Sequence, residues 1–122
     1  MIYKHDPIPH LEDILSSISW IEDYSSGQTL EEIMENQMVQ DAIVRRIEII
    51  GEAVGRLPDN IKKENAIVPW QDIKDMRNKL IHDYGHVDME LVWAVVEKDL
   101  PKLKTSVKEI LDFLSSADSI PD

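Results

Sequence analysis

Cysteine is absent from the 122 residues, which excludes disulfides, thiolate zinc sites and a cysteine nucleophile, so stability has to come from packing and from any partner chain. Long apolar runs are missing too. Nowhere do about 18 apolar residues follow one another without a charge, and no basic-then-apolar segment opens the chain. The expectation is a cytoplasmic protein with no membrane partner. Strand alternation, hairpin dipeptides, glycine-rich phosphate loops, internal repeats and low-complexity tracts are also lacking. An all-α up-and-down bundle of four to five helices is then the economical architecture. Basic residues are scarce: 13 Lys and Arg stand against 24 Asp and Glu, for a net charge of −11 and a pI near 4.7. That balance argues against counterion-driven, non-specific nucleic-acid binding, and no DNA partner is expected. It leaves room for a small cationic pocket that grips one phosphate.

What is present describes an ordinary globular chain. Hydrophobic residues make up 43% and charged residues 30%, enough for one domain spanning residues 1–122 with a real core. Asp6 and Pro7 read as cap and first position of a helix that runs to about Tyr24, with Ile8, Leu11, Ile14, Leu15, Ile18 and Ile21 at helical spacing and Ser25-Ser26-Gly27 as its stop. Thr29 and Glu32 have capping-box spacing for a short helix through about Glu35. Asn36 caps the next, about Gln37 to Leu57, whose broad apolar stripe includes Ile43, Ile47, Ile50 and Val54, with Arg46 inside it. Glu48 and Glu52 lie on another side of that helix, either solvated or in contact with a cation of a neighbouring helix or subunit. Gly51 inside a helix costs roughly 1 kcal/mol relative to alanine, so a closely approaching helix is expected there. Pro58-Asp59-Asn60 marks a turn, followed by a short helical or irregular connection.

Pro69 opens a central helix that the spacing carries to Tyr84, with Gly85 as a left-handed stop. Asp88 caps a last long helix with Leu91, Val92, Val95, Val96, Leu100, Leu103, Val107, Ile110, Leu111 and Leu114 on its buried side. Pro101 should kink or divide it near Asp99 and Leu100. Trp70 and Trp93 read as core or interface filler.

The central helix carries the chemistry. At about 100° per residue, Trp70, Ile73, Leu80, Ile81 and Tyr84 gather on one side and Arg77 falls among them. A guanidinium cannot lose its proton, and holding it among apolar groups needs an anion or hydrogen bonds in return. Asn78 and His82 share a neighbouring strip of the same helix. Cleavage of RNA by its own 2′-hydroxyl needs a group that moves protons near neutral pH and a fixed cation for the charge building on the non-bridging phosphate oxygens. A histidine and an arginine supply both, and no metal or other cofactor is required. His82 and His86 have the i,i+4 spacing of a zinc pair, but Gly85 intervenes and no glutamate sits beside the first histidine. His5 and His10 lack a third ligand. On a straight helix Arg77 and His82 diverge by about 140°, so the helix loosens before Gly85, or the arginine curls round, or a second subunit completes the site. A plain structural pairing of Arg77 with Glu48 or Glu52 is the alternative.

The string Arg77-Asn78-x-x-x-His82-x-Tyr84 resembles the R-x4-H-x-Y motif of HepT toxins, members of the HEPN superfamily of all-helical, metal-independent ribonucleases. Arg46-Ile47-Glu48-Ile49-Ile50-Gly51-Glu52-Ala53 is similar to that family's third-helix signature. Pro69-Trp70 before the motif, and Val92-Trp93 and Asp99-Leu100-Pro101 after it, extend the resemblance over roughly residues 3–115. Asp75 departs from a position where glycine is common, and Gly85-His86 from one where an aromatic often follows the tyrosine. The resemblance implies a four- to five-helix bundle, a homodimer with a composite cleft and RNA as substrate. It also implies a cognate antitoxin, MntA, a small nucleotidyltransferase that moves AMP from ATP to the motif tyrosine. By position, Arg77 and His82 would be catalytic, Asn78 would help to orient them, and Tyr84 would accept AMP. A helical subunit that binds a nucleotide or the transferase without cutting RNA is the other reading.

Overall fold

Helix α1 (Ile8–Ser25) starts where the Asp6 carboxylate accepts the Ile8 N–H at 3.0 Å and ends before Gly27, whose φ of +70° is left-handed backbone. The computed structural model describes residues 6–82 and 86–119, with the backbone alone at positions 81, 82 and 117–119. Leu11, Ile14, Ile18 and Ile21 recur every three or four residues along α1 and are completely or almost completely buried. The three-to-four spacing thus becomes one continuous core face.

Helix α2 (Leu30–Met34) has the full capping box. Thr29 Oγ1 accepts the Glu32 N–H at 3.2 Å, while the Glu32 carboxylate accepts the Thr29 N–H at 3.0 Å. Asn36 caps α3 (Gln37–Arg56) through the Val39 N–H. Helix α3 packs most extensively on α1, burying Ile43, Ile47, Ile50 and Val54. Arg46 lies at the edge of that stripe with its guanidinium 5.6 Å from the centre of the Trp20 ring, a cation–π contact that leaves the charge hydrated on one side.

Helix α4 (Asp59–Glu64) is the short helical form of the connection after Pro58. The chain from Pro69 to Leu80 differs from the single helix expected of it. Helix α5 (Trp70–Lys74) stops at Asp75, and α6 (Met76–Leu80) restarts at once. Strands β1 (Ile81–His82) and β2 (His86–Val87) then pair antiparallel, Ile81 opposite Val87 and His82 opposite His86, and the Asp88 N–H donates to the Leu80 carbonyl at 2.8 Å. Among the described residues this two-residue ladder is the whole of the β structure, so the all-α assignment holds. Gly85, expected as a helix stop, lies outside the described residues.

Asp88 caps α7 (Met89–Ala94), accepting the Glu90 and Leu91 N–H groups. The chain then widens into a π turn (Val95–Asp99) before α8 (Leu100–Ser119). Pro101 explains the turn: it has no N–H to give the carbonyl four residues back, and its ring needs room there. The expected division near Leu100 is therefore a local widening of one helical run. Leu91, expected on the buried side, is 43% exposed, because Val92 and Val95 take the core-facing positions of α7 and the π turn. Trp70 is buried with its indole N–H donated to the Asn65 carbonyl at 3.1 Å, and Trp93 packs half-buried against the core.

Ser17 is out of place in this core. It is 1% exposed and its hydroxyl has no hydrogen-bond partner among the described residues. Such a group forfeits its hydration without return, and alanine is the better helix former. Ser17→Ala is expected to stabilise the fold by about 1 kcal/mol, raising the thermal midpoint by a few degrees. A lower midpoint would mean that the hydroxyl is satisfied after all.

Candidate functional site

The site begins with the break at Asp75. Its N–H closes α5 on the Gln71 carbonyl at 3.0 Å, and its own carbonyl accepts the Asn78 N–H at 3.0 Å and the Lys79 N–H at 3.3 Å, which opens α6. The Gln71 side chain donates to the Asp75 carboxylate at 2.9 Å and braces the junction. Across it the buried row is Trp70, Ile73, Met76 and Leu80, spaced three, three and four.

Arg77 is one step round from Met76 and lies outside the seam, with its side chain 51% exposed. This corrects its expected place among the apolar residues. Methionine is the cheaper neighbour to bury, since a guanidinium there would lose its hydration. The arginine reaches instead to α3, where its Nε–H donates to Glu48 Oε2 at 3.1 Å, joining residues 29 apart in the chain.

Gly51 makes that meeting possible. A Cβ on it would sit 3.2 Å from the Lys74 carbonyl oxygen, so the end of α5 lies against bare helix backbone. Three residues back along α3 is Glu48 and three forward from Lys74 is Arg77. The close approach therefore places cation and anion side by side. Glu48 is half-buried; Glu52, the other acid of its pair, bonds Arg45 of its own helix at 3.7 Å. Lys79 reaches Asp72 at 3.6 Å. Exposed pairs of this kind contribute about 0–1 kcal/mol to stability, so fold stability alone gives Arg77 little reason to sit there.

The remaining motif residues follow α6. The Asn78 side chain is exposed and forms no hydrogen bond with a described residue. His82 is in β1 rather than on a helix, so it does not share a helical strip with Asn78 and does not form an i,i+4 helical pair with His86. Its backbone faces that of His86, which is exposed. The helix ends at Leu80, before His82, so the 140° expected of a straight helix does not apply to this pair. The His82 side chain and all of Tyr84 lie outside the described residues.

Two of the cavities bear on the surroundings of Arg77 and Glu48. A groove of about 610 Å³, between α5 and α6 on one side and α7 to α8 on the other, is lined mainly by apolar side chains including Ile73, Met76, Leu80, Val95 and Leu103. Arg77 and Glu48 are not on its wall. A smaller cleft of about 230 Å³ has Glu48 in its wall with Gln37, Gln40, Asp41 and Val87. Two carboxylates make that cleft unwelcoming to a phosphate, so an anion would approach Arg77 from the solvent side. Among the described residues no cluster of three His, Cys, Asp or Glu side chains is arranged to hold a metal ion. The pairing of Arg77 with Glu48 is the one weighed from the sequence as the structural alternative for Arg77, and of the two acids named there the structure selects Glu48 over Glu52; Gly51 was the available signal, since it marks where another element comes close.

The chain is similar to proteins of known description. The family model "Ribonuclease HepT-like" matches residues 14–110. A "Gamma-glutamylcyclotransferase and putative RNase" of Methanocaldococcus jannaschii is 42% identical over 86% of this chain, which spans 47% of that relative, about half its length. A "Putative RNase" of Caldanaerobacter subterraneus subsp. tengcongensis is 39% identical over 86% of this chain and 94% of its own. A "Probable ribonuclease HepT" of Thermococcus cleftensis is 36% identical over 83% and 92% respectively. No solved structure matches the chain.

Proposed function

The chain belongs to the HepT-like ribonuclease family, and from that membership we propose that it is one toxin domain of a toxin–antitoxin pair, an endoribonuclease that cuts tRNA or mRNA without a metal. The observation that carries the reading is the exposed guanidinium of Arg77 inside the R-x4-H-x-Y string, held through Nε and without another partner among the described residues. In the proposed reaction the 2′-hydroxyl oxygen attacks the adjacent phosphorus as His82 accepts its proton. Arg77 neutralises the charge on the non-bridging oxygens of the pentacoordinate phosphorus. The P–O5′ bond breaks, the leaving oxygen takes a proton from an imidazolium, and the products are a 2′,3′-cyclic phosphate and a 5′-hydroxyl. Asn78, exposed beside Arg77, would help to orient Arg77 and His82.

A homodimer is part of the proposal. Two copies facing across one cleft would bring two cations to a single RNA strand, compensating locally for the net charge of −11. The same charge leaves RNA recruitment to few contacts, so binding should weaken with salt only gently. A cytoplasmic setting fits this substrate, and among the described residues no helix is long and apolar enough to cross a membrane.

Control would act on Tyr84. An MntA-like transferase would direct its phenolic oxygen onto the α-phosphorus of ATP, releasing pyrophosphate and leaving AMP on the ring oxygen. Each added AMP brings a phosphodiester anion near Arg77, where it competes with RNA. Two experiments test the proposal. Incubated with total tRNA in EDTA, the purified protein is expected to produce discrete fragments; intact tRNA together with stable binding to the neighbouring gene product would favour a non-catalytic subunit. After co-expression with the adjacent open reading frame, mass spectrometry is expected to find AMP on the peptide containing Tyr84. Adducts confined to other residues would overturn the regulatory half of the proposal.

A further inference from the structure

We infer that Glu48 is a positioning residue for Arg77: its carboxylate, fixed on α3, presents the guanidinium to a phosphate with the two Nη groups outward. The inference rests on the proposed role of Arg77 and adds a residue from a different helix to it. A guanidinium offers five N–H donors in a rigid plane and two edges able to grip an anion in bidentate fashion. Glu48 takes the Nε–H alone, at 3.1 Å. Among the described residues the Nη groups of Arg77 have no partner, and its side chain is 51% exposed.

The two partners are held unequally. Glu48 stands between Ile47 and Ile50 on a 20-residue helix, and those neighbours are 1% and 0% exposed, so its backbone is anchored in the core. Arg77 stands on a five-residue helix between a break and a hairpin, with a long side chain that samples many rotamers when unrestrained. The acid is the fixed point and the cation leans on it. The approach that sets their spacing is the one Gly51 permits against Lys74. The alternative is that Glu48 competes with the substrate for Arg77. The contact does not block the end-on edge, so displacement is unnecessary for a phosphate to bind there.

Glu48→Ala and Glu48→Gln separate these cases. Glutamine keeps an oxygen that can accept the Nε–H and loses the charge. Glu48→Ala is expected to lower kcat on RNA by about 10- to 100-fold, with KM unchanged or reduced because an anion has left the RNA path. Glu48→Gln is expected to restore kcat above the alanine level. An independent reading comes from nitrogen-15 NMR of the Arg77 side chain: a dispersed, slowly exchanging Nε–H signal in the parent, lost in Glu48→Ala and retained in Glu48→Gln. Thermal melting of both variants near the parent's midpoint shows that the fold is intact.

Cleavage by Glu48→Ala at or above the parent's rate, or an Arg77 Nε–H signal unaffected by that change, overturns the positioning role. A parent that cuts no RNA removes the nuclease reading instead. The NMR comparison still decides whether Glu48 holds Arg77.

Discussion

Arg77→Ala is expected to lower the rate of RNA cleavage by about 10²- to 10³-fold, and His82→Ala by about 10²- to 10⁴-fold, each without a change in fold. The first magnitude is that of deleting one preorganised donor to a charge that develops only in the transition state. For Arg77 the proposed preorganisation rests on the Glu48 contact at 3.1 Å. Because the side chain is 51% exposed and its ion pair lies at the surface, truncation removes about 0–1 kcal/mol of stability at most. Activity and melting temperature should therefore part company. Arg77→Lys keeps the charge but loses the planar fork, and should recover only part of the rate. His82→Ala should also remove a limb of the pH–rate profile of the parent. An Arg77→Ala protein as active as the parent would remove the cation from the mechanism.

Ile50→Ala is expected to destabilise the fold by about 3 kcal/mol, within the roughly 2–5 kcal/mol typical of such truncations, and to lower the thermal midpoint by about 10 °C. Ile50 is 0% exposed on α3, within the buried core cluster. Removing its branched side chain there forfeits transfer free energy and leaves a void in close-packed surroundings. Met38 on the same helix is 77% exposed, and Met38→Ala should shift the midpoint by no more than a degree or two. Equal effects at the two positions would mean that the core does not lie along the Ile43, Ile47, Ile50 row.

The helices that hold this core were legible where a side chain terminates them. Thr29, Asn36 and Asp88 each satisfy free amides at a helix start, and that chemistry is local enough to read without neighbours. Gly51 was legible for a related reason. Its missing Cβ is unfavourable in a helix unless something approaches, and the Lys74 carbonyl does.

The central segment was harder because two periodicities overlap in it. Trp70, Ile73, Leu80 and Ile81 fit one continuous helix with Arg77 inside the seam. Trp70, Ile73, Met76 and Leu80 fit the observed break at Asp75 with Arg77 outside. The first leaves a gap between Ile73 and Leu80 that Arg77 would fill, the second fills it with Met76, and the desolvation cost of arginine is what separates them. The hairpin after Leu80 has two residues per strand, too few for alternation to register. The pairing of Arg77 with Glu48 or Glu52 was legible as an alternative, and the choice of Glu48 is a tertiary fact, set by how α5 lies on α3.

The most direct measurement is of the ends left on RNA cut in EDTA by the purified parent protein. A 2′,3′-cyclic phosphate on one fragment and a 5′-hydroxyl on the other, both missing from parallel digests with Arg77→Ala and His82→Ala, is the predicted result. Fragments carrying 3′-hydroxyl and 5′-phosphate ends, or cutting that appears only when a divalent metal is restored, would contradict it.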